Sequence, residues 1–135
     1  MNRRPQPRRG DIFHLEIAKS EILGGEQYGY RGWVIVSADS INRGVDPETV
    51  VAVPLTSKVH RAEGNYRFFR ILIPAKEFIP EPGFGGKFAD SLALTEQVRV
   101  LSIPRIPVNR SGRLTPKAMA AVEAGLAYVL DIPKE

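Results

Sequence analysis

The stretch from Arg31 to Ser57, RGWVIVSADSINRGVDPETVVAVPLTS, sets the fold class. It holds two short, nearly all-apolar runs, WVIVS at 33–37 and TVVAVPLTS at 49–57. Both are rich in β-branched side chains, which are stiff at χ1 and suit a pleated, buried surface. Between them lies ADSINRGVDPE, with Arg43-Gly44 and Asp46-Pro47 as breakers. The pattern predicts strand, turn, strand. Pro54 has no N–H, so that point is expected at a sheet edge or a bulge.

The same pattern continues outward. Upstream, DIFHLEI at 11–17 alternates, with Phe13, Leu15 and Ile17 on one face and His14 and Glu16 on the other, which predicts a half-buried strand. Residues 19–32 read as loop. Downstream, YRFFRILIP at 66–74 and SLALTEQVRVL at 91–101 predict two more strands, the second with imperfect alternation near Glu96. AKEFIPEPGFGGKFAD at 75–90 is a long glycine- and proline-rich connection. Its GFGGKF lacks the register of a phosphate-binding loop, so it reads as a flexible loop.

The end changes period. LTPKAMAAVEAGLAYVLDI at 114–132 predicts a helix, with Thr115 as N-cap and Pro116 at the first helical position. Met119, Val122, Leu126 and Val129 form one apolar stripe. Gly125 costs about 1 kcal/mol there relative to alanine, so close packing against it is expected. Short strands followed by a late helix imply a mainly β, α+β architecture: a small, strongly curled antiparallel sheet or partly open barrel capped by the helix.

The bulk properties narrow the function. A chain of 135 residues favours one domain and buries roughly two-thirds of its unfolded surface. There is no cysteine, which excludes disulfides and thiolate metal sites. With two histidines and no metalloprotease, nucleophile-elbow or Walker pattern, neither a metal nor another cofactor is expected. No apolar run approaches the roughly 20 residues needed to span a bilayer. The basic start, MNRRPQPRRG, lacks a signal-peptide apolar region. A cytoplasmic protein with no membrane partner is expected.

Net charge is +4, but Arg3, Arg4, Arg8 and Arg9 account for all of it. Local cationic stretches remain at Lys58–Arg70 and Gln97–Val122. They suit phosphates or a merely solvated face. Arg31 stands where a glycine-rich loop, GGEQYGY, gives way to the WVIVS strand. Guanidinium offers a fixed fork of donors that matches phosphate oxygens. Thr56 and Ser57, followed by Lys58, place hydroxyls and a cation at the end of the next strand. Arg31 and Thr56 together suit a phosphodiester. The plainer alternative is an Arg31–Glu26 ion pair and a Thr56 that only closes a turn.

At these residues the chain resembles the MazF/PemK toxins, the endoribonuclease halves of bacterial toxin–antitoxin pairs. RRGDIF at 8–13 resembles the family's opening strand, and GGEQYGYRGWVIVS at 24–37 its G-x-E-Q-x-G-x-R-P-hydrophobic-S motif. TVVAVPLTS resembles its hydrophobic-P-hydrophobic-T-S strand. DSLALTEQVRVLSIPRI at 90–106 and the terminal helix resemble its D-S-hydrophobic-L-x-x-Q-x-R-T end. The resemblance runs from Arg8 to Ile132. It implies an SH3-like barrel of the CcdB/PemK toxin fold as a single domain over 8–135, and a homodimer, while residues 1–7, polar with two prolines and no apolar anchor, read as a disordered basic tail.

The resemblance also implies metal-independent, sequence-selective cleavage of single-stranded RNA, and a cognate antitoxin with an acidic flexible segment. Carried over position by position, the catalytic arginine is Arg31 and the catalytic threonine Thr56. The loop pair is Glu26 and Gln27, and the late-strand pair is Gln97 and Arg99. Glu26 is either the general base or the orienting partner of Arg31. Gln27, Tyr28, Ser57, Lys58, Gln97 and Arg99 are the expected RNA contacts. Tyr28 and Tyr30 suit either base stacking or interface packing.

Three departures stand out. Gly32 replaces the usual proline after the arginine, which is expected to loosen Arg31. Gly25, Leu94 and Glu96 replace the histidine and the Arg/Asp pair of the PemK branch, so that branch's acid–base assignment does not transfer. The 75–90 connection is longer than is typical. A gyrase poison of CcdB type, or an inactive RNA- or antitoxin-binding relative, are the alternatives to a ribonuclease.

Overall fold

The computed structural model describes residues 5–21, 23–25, 27, 29–43 and 48–133. Arg3, Arg4, Gly44, Asp46 and Pro47, named above, lie outside these. The strands of the described residues are β1 (Asp11–Ile17), β2 (Gly29–Ile35), β3 (Thr49–Thr56), β4 (Arg70–Ile73), β5 (Phe78–Pro80), β6 (Ser91–Leu94), β7 (Arg99–Ser102) and β8 (Gly112–Leu114). The helices are α1 (Asp39–Asn42) and α2 (Pro116–Val129).

The strand order is β4-β6-β3-β2-β1-β8-β5, with β7 paired to β3 beside this path, and every pair is antiparallel. The sheet curls into a nearly closed barrel with α2 against it.

β3 is the pivot. Its first half, Thr49–Ala52, pairs with β7, and its last two residues pair with β6. The expected single strand at 91–101 is therefore two strands, broken by a 3-10 turn at Thr95–Gln97, which accounts for the imperfect alternation at Glu96. Pro54 sits inside the sheet opposite Trp33, not at an edge. Val51 directs its carbonyl at Val36 N–H of the β2 side, 2.9 Å away. By alternation Pro54 turns to the opposite side, where β3 has left β7 and not yet reached β6.

Two apolar clusters lie on opposite faces of the central strands. One holds Ile12, Val34, Val53, Leu55 and Ile73 with Met119 and Val122 of α2. The other holds Phe13, Leu15, Ile17, Trp33, Ile35, Val50 and Leu101. Adjacent residues feed opposite clusters, so β1 is more deeply buried than a half-buried strand: Asp11 and Ile12 are buried and only Glu16 is exposed.

α2 begins as expected, with the Thr115 hydroxyl oxygen accepting Ala118 N–H at 3.2 Å and Pro116 following. A Cβ on Gly125 would lie 2.9 Å from Ile71 Cγ1 and 3.0 Å from Thr95 Cγ2, so the glycine permits close approach to β4. Three features differ from expectation. Residues 64–68 form a 3-10 turn and only Arg70–Ile73 is strand. β5 and β8, each three residues, pair with each other. β2 begins at Gly29, so residues 29–32 are strand rather than loop, paired to Ile17–His14 of β1. No described helix is long and apolar enough to cross a membrane.

Candidate active site

The early start of β2 moves Arg31 from the end of a loop into a paired strand, opposite Leu15. Side-chain alternation sets it on the same face as Trp33, which is 1% exposed. β2 and β3 pair through Trp33↔Pro54. The pairing ends there, two residues short of Arg31 and Thr56. The guanidinium Nη1 donates to the Leu55 carbonyl at 3.2 Å, one residue from Thr56. The strand thus orients a half-buried cation toward the end of β3.

Gly32 does not act as a loose joint. It is buried and paired with His14. A Cβ there would meet Leu55 Cδ1 at 3.2 Å and both His14 Nε2 and Ile12 Cγ2 at 3.3 Å. Close packing, not backbone freedom, is what glycine serves at this position, and the expected loosening of Arg31 is corrected accordingly.

Thr56 ends β3 and is nearly buried at 7% exposure. Its Oγ1 accepts the Lys58 N–H at 3.2 Å, so it does close a turn. Its hydroxyl hydrogen still has a direction to donate. Ser57 and Lys58 are exposed on that turn.

Gln97 braces the β1–β2 loop. Its Oε1 accepts Gln27 N–H at 2.7 Å and its Nε2 donates to the Gly25 carbonyl at 3.3 Å. Arg99 starts β7 opposite Ala52 and, with Gly25, Gln27, Trp33 and Gln97, lines a cleft of about 400 Å³. Gln27, Gln97 and Arg99 are therefore brought together, and Arg31 and Thr56 share the neighbouring strand ends. Glu26 and Tyr28 lie outside the described residues.

Sequence reasoning missed the partner of Glu96. Arg70 Nε donates to Glu96 Oε2 at 2.7 Å, and its Nη1 donates to the Arg61 carbonyl at 3.1 Å. Arg70 also lies over the Tyr66 ring, 4.3 Å from its centroid. It stands opposite Leu94 in the β4–β6 pair. So the carboxylate at 96 takes its arginine from across the sheet, and Arg70 is drawn out of the cationic stretch at 58–70. A partner 26 residues away leaves no spacing signal in one sequence.

A family model described as the PemK-like, MazF-like toxin of type II toxin–antitoxin systems matches residues 8–130. The chain belongs to that family. MazF from Deinococcus radiodurans superposes with a TM-score of 0.67 at 21% identity, covering 93% of this chain and 97% of that one. The MazE–MazF complex from the same organism gives 0.64 at 23% identity, over 95% and 98% of the two chains. An endoribonuclease in complex with its cognate antitoxin, from a mycobacterial species, gives 0.59 at 21% identity over the whole of both. At these identities the solved structures bear on the fold, which is the toxin fold of this MazF/PemK member.

Proposed function

We propose that this MazF/PemK toxin is a sequence-selective endoribonuclease that cleaves single-stranded RNA without a metal. The observation that carries the reading is the Arg31 guanidinium donating to the Leu55 carbonyl, one residue before Thr56: a strand-held cation directed at the end of β3. RNA breaks when its 2′-oxygen attacks the adjacent phosphorus and the P–O5′ bond opens. The products are a 2′,3′-cyclic phosphate and a 5′-hydroxyl. The 2′-OH proton must leave to a base, and one proton must reach the departing 5′-oxygen.

Arg31 stabilises the charge that builds on the phosphorane oxygens, a role worth roughly 10²–10³ in rate for one preorganised donor. Thr56 donates to the scissile phosphate and helps align the attack. Glu26 is the base or the residue that orients Arg31. The fork of Arg31 suits charge stabilisation better than proton donation, since guanidinium holds its proton tightly. Gln27, Tyr28, Ser57, Lys58, Gln97 and Arg99 hold the RNA on either side, with Gln97 acting through the loop it braces.

The same reading makes residues 8–135 one toxin domain behind a basic tail, working as a cytoplasmic homodimer. Its cognate antitoxin lays an acidic, flexible segment over the cationic RNA surface.

Incubation with single-stranded RNA in EDTA tests the proposal. Cyclic-phosphate ends that vanish in Arg31→Ala support it. Intact RNA together with growth arrest in cells would reassign the chain to a gyrase-type poison, and binding without cleavage or toxicity to an inactive relative.

A further inference from the structure

A second cleft, of about 1540 Å³, opens between the 81–88 loop and strands β1 and β8. Its lining combines two kinds of group. Rings form a ladder: Tyr30 stacks on His14 at 5.7 Å, His14 on Phe84 at 5.5 Å, Phe84 meets Phe88 at 5.2 Å, and Phe88 stacks on Phe78 at 4.6 Å. The far end of the ladder is core, since Phe78 is buried. The near end is open, since Tyr30 is 70% exposed. The GFGGKF segment is thus pinned by its two phenylalanines rather than left as a plain flexible loop.

The second group is cationic. Arg110 is committed, with Nη1 on Asp11 Oδ1 at 2.8 Å and Nε on Glu81 Oε2 at 2.7 Å, so one cation is shared by both acids of the cleft. Arg9 is held by Glu123 at 2.7 Å. Arg8 and Arg113 also line the cleft; neither makes a salt bridge among the described residues, although the charge of Arg8 also acts on Asp39. His14 is fixed in place by Ser111, with Nδ1 and Oγ 2.6 Å apart.

Two arginines without a salt bridge, of which Arg113 has no acid acting on it among the described residues and Arg8 is shared with Asp39, stand beside an open, rigidly backed aromatic face and fit a nucleotide: phosphate to the fork, base to the ring. An acidic peptide would use the charges and leave the rings idle. Tyr30 is the chain neighbour of Arg31, at the same end of β2 but on the opposite face. We propose that this cleft is a second nucleotide subsite, taking a nucleotide that flanks the cleaved bond of the same RNA strand, its base on Tyr30, which Phe84 backs through His14, and its phosphate on Arg8 and Arg113. This rests on the ribonuclease reading.

The test compares a short RNA spanning a mapped cut site with one extended by two nucleotides on each side, both made uncleavable by a 2′-deoxy sugar at the bond. Extension should tighten binding to the wild-type protein by about tenfold, the scale of one stacked base. Arg113→Glu and Phe84→Ala should each remove most of that gain, while cleavage of the short all-ribose RNA stays as in wild type; the unfolding midpoint stays as in wild type for Arg113→Glu and falls modestly for Phe84→Ala, which removes a loop anchor. No gain on extension, or an equal gain in both variants, overturns the subsite. Displacement by AMP as strong as by the long RNA would reassign the cleft to a free nucleotide, and stronger displacement by polyglutamate to an acidic protein segment. Either result overturns the inference. A wild-type protein that cuts nothing yet shows the variant-sensitive gain would remove the ribonuclease reading and leave the subsite standing.

Discussion

Gln97 holds two backbone groups of the β1–β2 loop from a separate part of the chain. Gln97→Ala should therefore free the loop and leave the core alone. Amide exchange at Gln27 is expected to accelerate severalfold, with KM for RNA rising more than kcat falls; unchanged exchange would show that the brace is incidental. His14 gives a second residue-scale prediction. Burial holds its imidazole below the ordinary value of 6.5. The unfolded chain then binds the proton more readily than the folded one. Stability is complete above pH 6.5 and is lost as pH falls from there toward the depressed folded value. Urea unfolding across that window should show this loss in the wild type and a flatter profile in His14→Gln. Parallel profiles would assign the slope to other groups.

At the scale of elements, Gly125 sets two magnitudes against each other. Alanine there gains about 1 kcal/mol of helix propensity. It also drives a methyl group to within 2.9 Å of Ile71 Cγ1 and 3.0 Å of Thr95 Cγ2, and overpacking typically costs about 1–3 kcal/mol. Net destabilisation is expected in urea denaturation, and a more stable variant would mean that α2 shifts freely over β4. The helix, with its cap and stripe, was legible because 3.6-residue periodicity and Thr115-Pro116 are local signals. β1 and β3 were legible from alternation and β-branching. β5 and β8 were not, because three residues carry no period and exist as strands only by pairing with neighbours, β5 with β8 and β8 also with β1. The missed start of β2 has a similar cause: Gly29 and Gly32 have poor strand propensity, and it is the β1 partner that extends them. At the site, motif order pointed to Arg31 and Thr56, and the structure directs the Arg31 guanidinium at the Leu55 carbonyl beside Thr56 in sequence. The Gln97 brace and the Arg70–Glu96 pair were not legible, since each joins residues brought together only by the sheet.

Over the whole molecule, the charge distribution decides how RNA would be held. The body is formally neutral outside Arg3, Arg4, Arg8 and Arg9, so affinity cannot come from net charge alone. It must come from a few guanidiniums placed by strands, and salt dependence measures their number. Arg99→Ala should lower the slope of log affinity against log salt by about 0.7, the value for one phosphate contact on a single strand. An unchanged slope with weaker binding would make Arg99 a brace rather than a phosphate contact. The central claim concerns Arg31, whose guanidinium is held on the Leu55 carbonyl, one residue before Thr56. Its most direct test is the single-turnover cleavage rate of Arg31→Lys, which keeps the charge and loses the fork. The account predicts a fall of roughly 10²–10³-fold with an unchanged unfolding midpoint, and a lysine variant that cleaves at nearly the wild-type rate would contradict it.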